Sequence, residues 1–307
     1  MTFRNITAEE AEPHLNWLDM AAALEAGHEL PKGEVQDIVM KQGDNVMLSR
    51  HAWIDGMGAA VKTGMIFPGN MARFSRPNLN GIVTLFDNDH GCLEATIDFG
   101  LVTKWKTAGD SLLAAQKLAR PDSRTILVIG AGVVARSLIE AYSAGFPNAS
   151  FTLWNRTLDK AEVMATEYPD LDVAVASDLE SAVRAADIVT SATMTNQPFL
   201  KGAWLQSGQH IDLIGAYLPD MREADDDALR HAQIFVDSFE TTVEHIGELL
   251  DPIASGAIAR TDILADFYDL KSGGFTRQSD DEITLHKNGG GAHLDLMTSA
   301  YILKACP

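Results

Sequence analysis

The sequence predicts an α/β protein: a doubly wound parallel sheet joined to a second, discontinuous α+β domain. Three observations predict it. Between residues 125 and 240, short apolar runs alternate with helical stretches, as parallel strands joined by crossover helices do. Between 45 and 103, apolar runs follow one another across turns, as in an antiparallel sheet. A glycine-rich turn joins the first strand of the alternating part directly to its helix.

Taken in order, residues 8–28 read as helical, with Leu15, Leu18, Ala21, Ala22 and Leu24 on an apolar face. Short strands follow at 45–48, 59–67, 81–87 and 92–98, the last two separated by the turn-forming cluster Asp87-Asn88-Asp89-His90-Gly91. A helix is expected over 107–119. The polar break Pro121-Asp122-Ser123-Arg124 then marks a domain boundary. Strands are expected at 125–129, 150–154, 171–175, 187–191, 210–214 and 233–236, with helices at 133–145, 157–167, 178–185 and 225–231. Two further helices are expected within 241–271, then a loop at 272–274 and a strand at 283–286. The glycine loop 289–291 opens a last helix, 292–304, which returns to the first domain. The expected division is therefore 1–120 with 288–307 for substrate binding and dimerisation, and 121–287 for the doubly wound domain.

The turn carries the chemistry. Ile126 to Ile129 form a buried strand, and Gly130-Ala131-Gly132-Val133-Val134-Ala135 turns it into a helix. Gly130 permits the tight turn, Gly132 lets backbone approach a pyrophosphate, and Ala135 lets helix and strand pack closely. The free N–H groups and dipole of the helix start then hold phosphates. This is the Rossmann arrangement, and the expected ligand is NAD(H) or NADP(H). Ribose is read at the end of the second strand, by Asn155, Arg156 and Thr157. The missing acid and the cation favour a 2′-phosphate, but Asn155 can bond a diol and Arg156 can stack on adenine. Ser191-Ala192-Thr193, at the end of the strand 187–191, should border the nicotinamide or, alternatively, cap a helix.

Composition narrows the partners. With 24 Lys and Arg against 43 Asp and Glu, the formal charge of −19 argues against nucleic acid and anionic membranes. It does not forbid an anionic substrate, because a pocket can be locally basic. The two cysteines show no metal-type spacing and suit a reducing cytosol. No apolar run approaches the ~20 residues of a membrane span, and the first residues open no signal peptide. A cytoplasmic protein without metal is expected.

Five segments carry a resemblance that spans about residues 45–300: Ala60–Asn70, Leu101–Ala108, Gly130–Arg136, Gly215–Glu223 and Lys287–Asp295. They are similar to "GVK…FPGN", "LLTxxRTAA", "GAGVQA", "GADxPGxxEL" and "KSVGxAxxD" of the ornithine cyclodeaminase/mu-crystallin family. The resemblance implies a Rossmann domain plus a sheet-based domain that pairs two subunits as a homodimer. It also implies Thr107 and Gly290 as cofactor contacts. Two departures guide the expected activity. Lys106 stands where the family's arginine clamps the substrate carboxylate, and lysine lacks the bidentate fork. Tyr217 replaces the acid that takes a proton from a substrate amine, although it could equally be plain packing. Oxidation of an amino acid needs that base; reduction of a preformed imine does not.

Lys62 sits in an apolar strand, where an unpaired lysine is costly. It is expected to hold the substrate carboxylate and protonate the nascent amine, the alternative being an exposed strand edge. Arg50 is either a second carboxylate ligand or surface decoration. His293 could meet a second carboxylate or be a capping or core histidine. Asn70 is a substrate contact or a turn residue. The resemblance thus implies an NAD(P)H-dependent imine reductase acting on a small dicarboxylate-type imino acid, iminosuccinate being the expected substrate. The alternatives are a reductive aminase of the alanine-dehydrogenase type, a cyclic ketimine reductase, or a crystallin-like ligand-binding protein without catalysis.

Overall fold

A computed structural model describes residues 3–307. They cluster into two compact units, residues up to 106 with 291–307, and residues 107–290. The divisions thus fall at 106/107 and 290/291, where the sequence suggested 120/121 and 287/288.

The first unit opens with β1 (Arg4–Ile6), α1 (Ala8–Ala11) and α2 (Trp17–His28). The single helix expected over 8–28 is interrupted, because Pro13 sits in a 3-10 turn, Glu12–His14, and Asn16 restarts the chain as the N-cap of α2. Next come β2 (Glu34–Gln42), β3 (Asn45–Ile54), β4 (Gly58–Ile66), α3 (Asn70–Phe74), β5 (Leu79–Phe86) and β6 (Leu93–Asp98). The sheet runs β1-β6-β5-β4-β3-β2, antiparallel throughout except that β1 joins β6 in parallel. Strands β1 and β2 were not expected. β2 is exposed along nearly all of its length, so it shows no alternation to read. Register places Asp37 opposite Arg50, and Arg50 opposite Lys62. Helix α4 (Phe99–Leu118) starts earlier than the expected 107, because the Asp98 carboxylate accepts the Leu101 N–H at 2.7 Å and caps it there.

The second unit alternates as expected: β7 (Thr125–Ile129), α5 (Val133–Gly145), β8 (Ser150–Trp154), α6 (Leu158–Ala165), β9 (Val173–Val175), α7 (Leu179–Ala185), β10 (Ile188–Ser191), β11 (His210–Leu213), α8 (Asp226–His231) and β12 (Ala232–Val236). Of the two helices expected in 241–271, one forms as α9 (Gly247–Ser255), preceded by a single π-helical turn at Phe239–Val243. The other gives way to strand β13 (Ile263–Ala265) between 3-10 turns. There Asp262 accepts the Ala259 N–H, and Asp266 accepts those of Phe239 and Tyr268. Such local bonds compete with helix. β14 (Ile283–Lys287) follows.

The eight strands, all parallel, lie in the order β13-β12-β14-β11-β10-β7-β8-β9. The chain leaves β7 toward β8 and β9, then returns to the other side at β10, so the topological switch lies between β7 and β10. Open α/β sheets bind ligands at that point, beyond the carboxyl ends of the strands. β14, although late in the chain, inserts between β11 and β12. A buried polar network crosses the sheet: the Tyr142 hydroxyl and Thr190 donate to Asp212 at 3.0 and 2.9 Å, and His286 meets Asp212 at 3.2 Å. Finally α10 (Ala292–Ala305) returns to the first unit and packs against α2, β3 and β4.

Candidate active site

In the first unit three cations converge on one carboxylate. Strand β4 carries Lys62, β3 carries Arg50, α4 carries Lys106 and α10 brings Asp295. The Lys62 and Lys106 ammonium groups each lie 2.8 Å from Asp295 Oδ1, and Arg50 Nη1 lies 3.8 Å from Oδ2. Lys62 also donates to Thr103 Oγ1 at 2.6 Å and stands 4.4 Å from the centre of the Phe99 ring. Arg50 is held from the other side by Asp37, whose two oxygens are both 3.1 Å from Nε.

Lys62, Lys106 and Asp295 are 2, 4 and 1% exposed, so this is an interior ion cluster. Burial lowers the Lys62 ammonium, and Asp295 opposes that shift. Burial pulls Lys106 down to about 7; Asp295 opposes it, while Arg50 and Lys62 add to it. Burial alone would raise the Asp295 carboxyl, but Lys106, Lys62 and Arg50 overrule it and hold it well below the ordinary carboxylate range. Three cations around a single buried anion leave a surplus of positive charge. Such a cluster can take a second carboxylate from a ligand and keep a proton mobile near neutral pH.

Lys62, Lys106 and Arg50 are thus brought together. Two other expected ligands are placed elsewhere. The His293 ring lies 5.3 Å from the His28 ring, edge to face, on the α2 side. It precedes Asp295 by two positions, about 200° around α10, so the two point apart. Asn70 opens α3 and donates to the Pro77 carbonyl at 3.2 Å, which ties down its own turn. Asp295 and Thr103 were not anticipated as site residues. The signal for Asp295 was the final acid of the Lys287–Asp295 segment; Thr103 lies within the Leu101–Ala108 segment.

In the second unit the turn after β7 has the features of a phosphate cradle. Gly130 has φ of 117°, where a side chain would be strained, and a Cβ there would come within 2.9 Å of the Ala192 carbonyl. A Cβ on Gly132 would meet nothing within 4 Å, so open space faces the helix start. No side chain caps α5: Val133 at its start is exposed, and Ala135 is fully buried against the sheet. Arg136 donates to the Ala131 and Gly132 carbonyls and pairs with Glu167 at 2.6 Å, which steadies the loop from behind. These groups fit a dinucleotide pyrophosphate, with N–H groups of Gly132, Val133 and Val134 as its donors.

The remaining expected contacts are mixed. Arg156 and Thr157 are exposed at the end of β8, while Asn155 turns its amide to the Thr157 carbonyl at 2.8 Å. Ser191 ends β10 beside the switch point, and Ala192 and Thr193 follow it in the loop. Gly290 gives its N–H to Asp237 at 2.8 Å, and the Thr107 carbonyl accepts from Asn288 at 3.0 Å. Both of these groups therefore have protein partners. Tyr217, in the loop after β11, is 57% exposed. Among the described residues no helix is long and apolar enough to cross a membrane.

The profile of the ornithine cyclodeaminase/mu-crystallin family matches residues 24–305. A Delta(1)-pyrroline-2-carboxylate reductase of Paracoccus denitrificans is 49% identical over 299 residues, covering 96% of this chain and 94% of the relative. The Thermococcus litoralis Delta(1)-pyrroline-2-carboxylate reductase, solved with NADH and L-proline, superposes with a TM-score of 0.89 at 24% identity, covering 99% of this chain and 97% of that one. The iminosuccinate reductase of Paracoccus denitrificans, solved with NAD+, gives 0.89 at 22% identity, covering 99% and 96%.

Proposed function

The chain belongs to the ornithine cyclodeaminase/mu-crystallin family, and from that premise we propose that it is an NAD(P)H-dependent imine reductase that converts the cyclic α-imino acid Δ1-pyrroline-2-carboxylate to L-proline. The observation that carries the reading is the convergence of Lys62, Lys106 and Arg50 on Asp295. An imino acid needs a cationic seat for its carboxylate and a proton source for its nitrogen, and the cluster offers both.

In this reading Lys106 and Arg50 hold the carboxylate. Lys62, fixed by Thr103 and Asp295, holds a proton toward the imine nitrogen, because a protonated C=N bond is the better electrophile. When bound, the reduced dinucleotide supplies a hydride. Asp295 keeps the two ammonium groups aligned, so little reorganisation is needed as charge shifts during the reaction. The mismatch of Tyr217 with a family acid agrees with this direction, since a ready-made imine needs no base to deprotonate an amine.

The choice of a cyclic substrate rests on the relative that shares nearly the whole chain, and on His293 lying against His28, which removes one expected ligand for a second carboxylate. Iminosuccinate is the second reading, favoured by Arg50, a third cation that a second carboxylate could use. Oxidation of NADH and NADPH should be followed with Δ1-pyrroline-2-carboxylate and, separately, with oxaloacetate plus ammonia. A kcat/KM at least ~100-fold higher for the cyclic imine supports the first reading, a margin of nearly 3 kcal/mol. The reverse ranking installs the second, and turnover of neither refutes both. NAD(H) is the cofactor expected; exposed Arg156 leaves the 2′-phosphate form a competent ligand.

The protein is also proposed to act as a homodimer through the first unit's sheet. β2 exposes Ile38, Val39 and Met40 at 40, 55 and 51%, and Trp53, which pairs with Glu34 nearer the start of β2, is 67% exposed. An edge strand this apolar is normally covered.

A further inference from the structure

We infer that Glu223 is a positioning residue for the nicotinamide half of the bound dinucleotide, an inference that rests on the dinucleotide reading above. Its side chain is fully buried, and one carboxylate gathers the ends of two neighbouring strands. From the end of β10, the Ser191 hydroxyl donates to Oε1 at 2.5 Å, and the Thr193 N–H and hydroxyl donate at 2.9 and 2.7 Å. From the end of β11, the Gly215 N–H donates to Oε2 at 2.7 Å. Backbone N–H groups thus face both oxygens, so the ionised form is the one that the geometry accommodates.

The clamp is itself held. Glu248 of α9 accepts the backbone N–H groups of Glu223 and Ala224 at 2.7 and 2.9 Å. On β14, buried Lys287 donates to the Leu213 and Asn288 carbonyls, and its charge opposes the rise that burial imposes on the Glu223 and Glu248 carboxyls. The two loops approach so closely that a side chain on Gly215 would come within 2.0 Å of the Thr193 carbonyl oxygen.

Place then gives the clamp its meaning. With pyrophosphate at the β7–α5 turn and the adenosine ribose at the end of β8, the other half of a dinucleotide extends over the ends of β10 and β11. Those are the ends that Glu223 fixes. With the Ser191 and Thr193 hydroxyls and two N–H groups spent on one buried anion, these loops offer the incoming ring a single shape.

The test is calorimetric binding of NADH and of ADP-ribose, which has the same adenosine and pyrophosphate but no nicotinamide. Glu223→Gln keeps an acceptor for the β10 donors but sets an NH2 against the Gly215 N–H. It should weaken NADH ~10- to 100-fold and leave ADP-ribose within about twofold. Thr193→Val, which removes one of the four bonds without touching the carboxylate, should weaken NADH by ~3- to 10-fold with ADP-ribose unchanged, and it decides the matter if the first variant fails to fold. Equal weakening of both ligands, or of neither, with wild-type binding intact overturns the role of Glu223 alone. Wild-type protein that binds neither ligand overturns the dinucleotide reading and this inference together.

Discussion

Of the three lysines buried among the described residues, two meet on one acid. Lys62 and Lys106 lie in the interior, and each is tolerated because Asp295 stands 2.8 Å away. Lys62→Met removes the proton source while leaving Lys106 and Arg50 to hold a carboxylate. Reductive kcat should fall by ~10²- to 10⁴-fold with a smaller change in KM. Turnover near wild-type in a steady-state assay would end the assignment. Lys106 releases its proton near pH 7, so KM for the imino acid should climb above about pH 7, approaching tenfold per unit as the cation disappears. In Lys106→Arg, which keeps its charge, that climb should vanish from the KM–pH profile. The same shift affects stability. An unfolded lysine keeps its proton to about pH 10.4, so between about 7 and 10.4 the unfolded chain binds more protons. Stability owed to this residue therefore rises with pH across that window. At this scale the sequence was half legible. A lysine within an apolar strand draws notice. Asp295 is one of 43 acidic residues, and its partners lie far away along the chain.

Elements that announce themselves do so through period or punctuation. β7 and α5 were readable because four apolar residues run into a glycine turn. β2 was not, because a strand exposed along its length has no alternation, and β13 was not, because aspartates around it make bonds that no apolar pattern records. The start of α5 yields a test at this scale. Gly132 has ordinary φ, and a Cβ there meets nothing. Gly132→Val should therefore leave the melting temperature within about 2 °C, as surface changes do, yet fill the space intended for pyrophosphate. Dinucleotide affinity should drop by ~100-fold or more in a titration of NADH fluorescence; unchanged affinity would mean that the phosphates lie elsewhere.

For the molecule as a whole, the open face is the first unit's apolar edge. Replacing Val39 and Met40 together by lysine should turn the expected dimer into a monomer in sedimentation velocity, with little loss of fold, because both side chains are exposed. A wild-type protein that sediments as a monomer would refute the pairing. Apolar patterning showed that an antiparallel and a parallel sheet were present. It could not show the order of strands, because order depends on which edges meet.

That order has a consequence for how the protein comes into being. β14 wedges between β11 and β12, and the helix bearing Asp295 follows it. During synthesis, therefore, neither half can be finished early. The parallel sheet waits with a gap in its middle until β14 is made, and Lys62 and Lys106 wait for their counter-ion until Asp295 follows it. A chain that stops before β14 would lack both a central strand of the parallel sheet and the acid of the ion cluster.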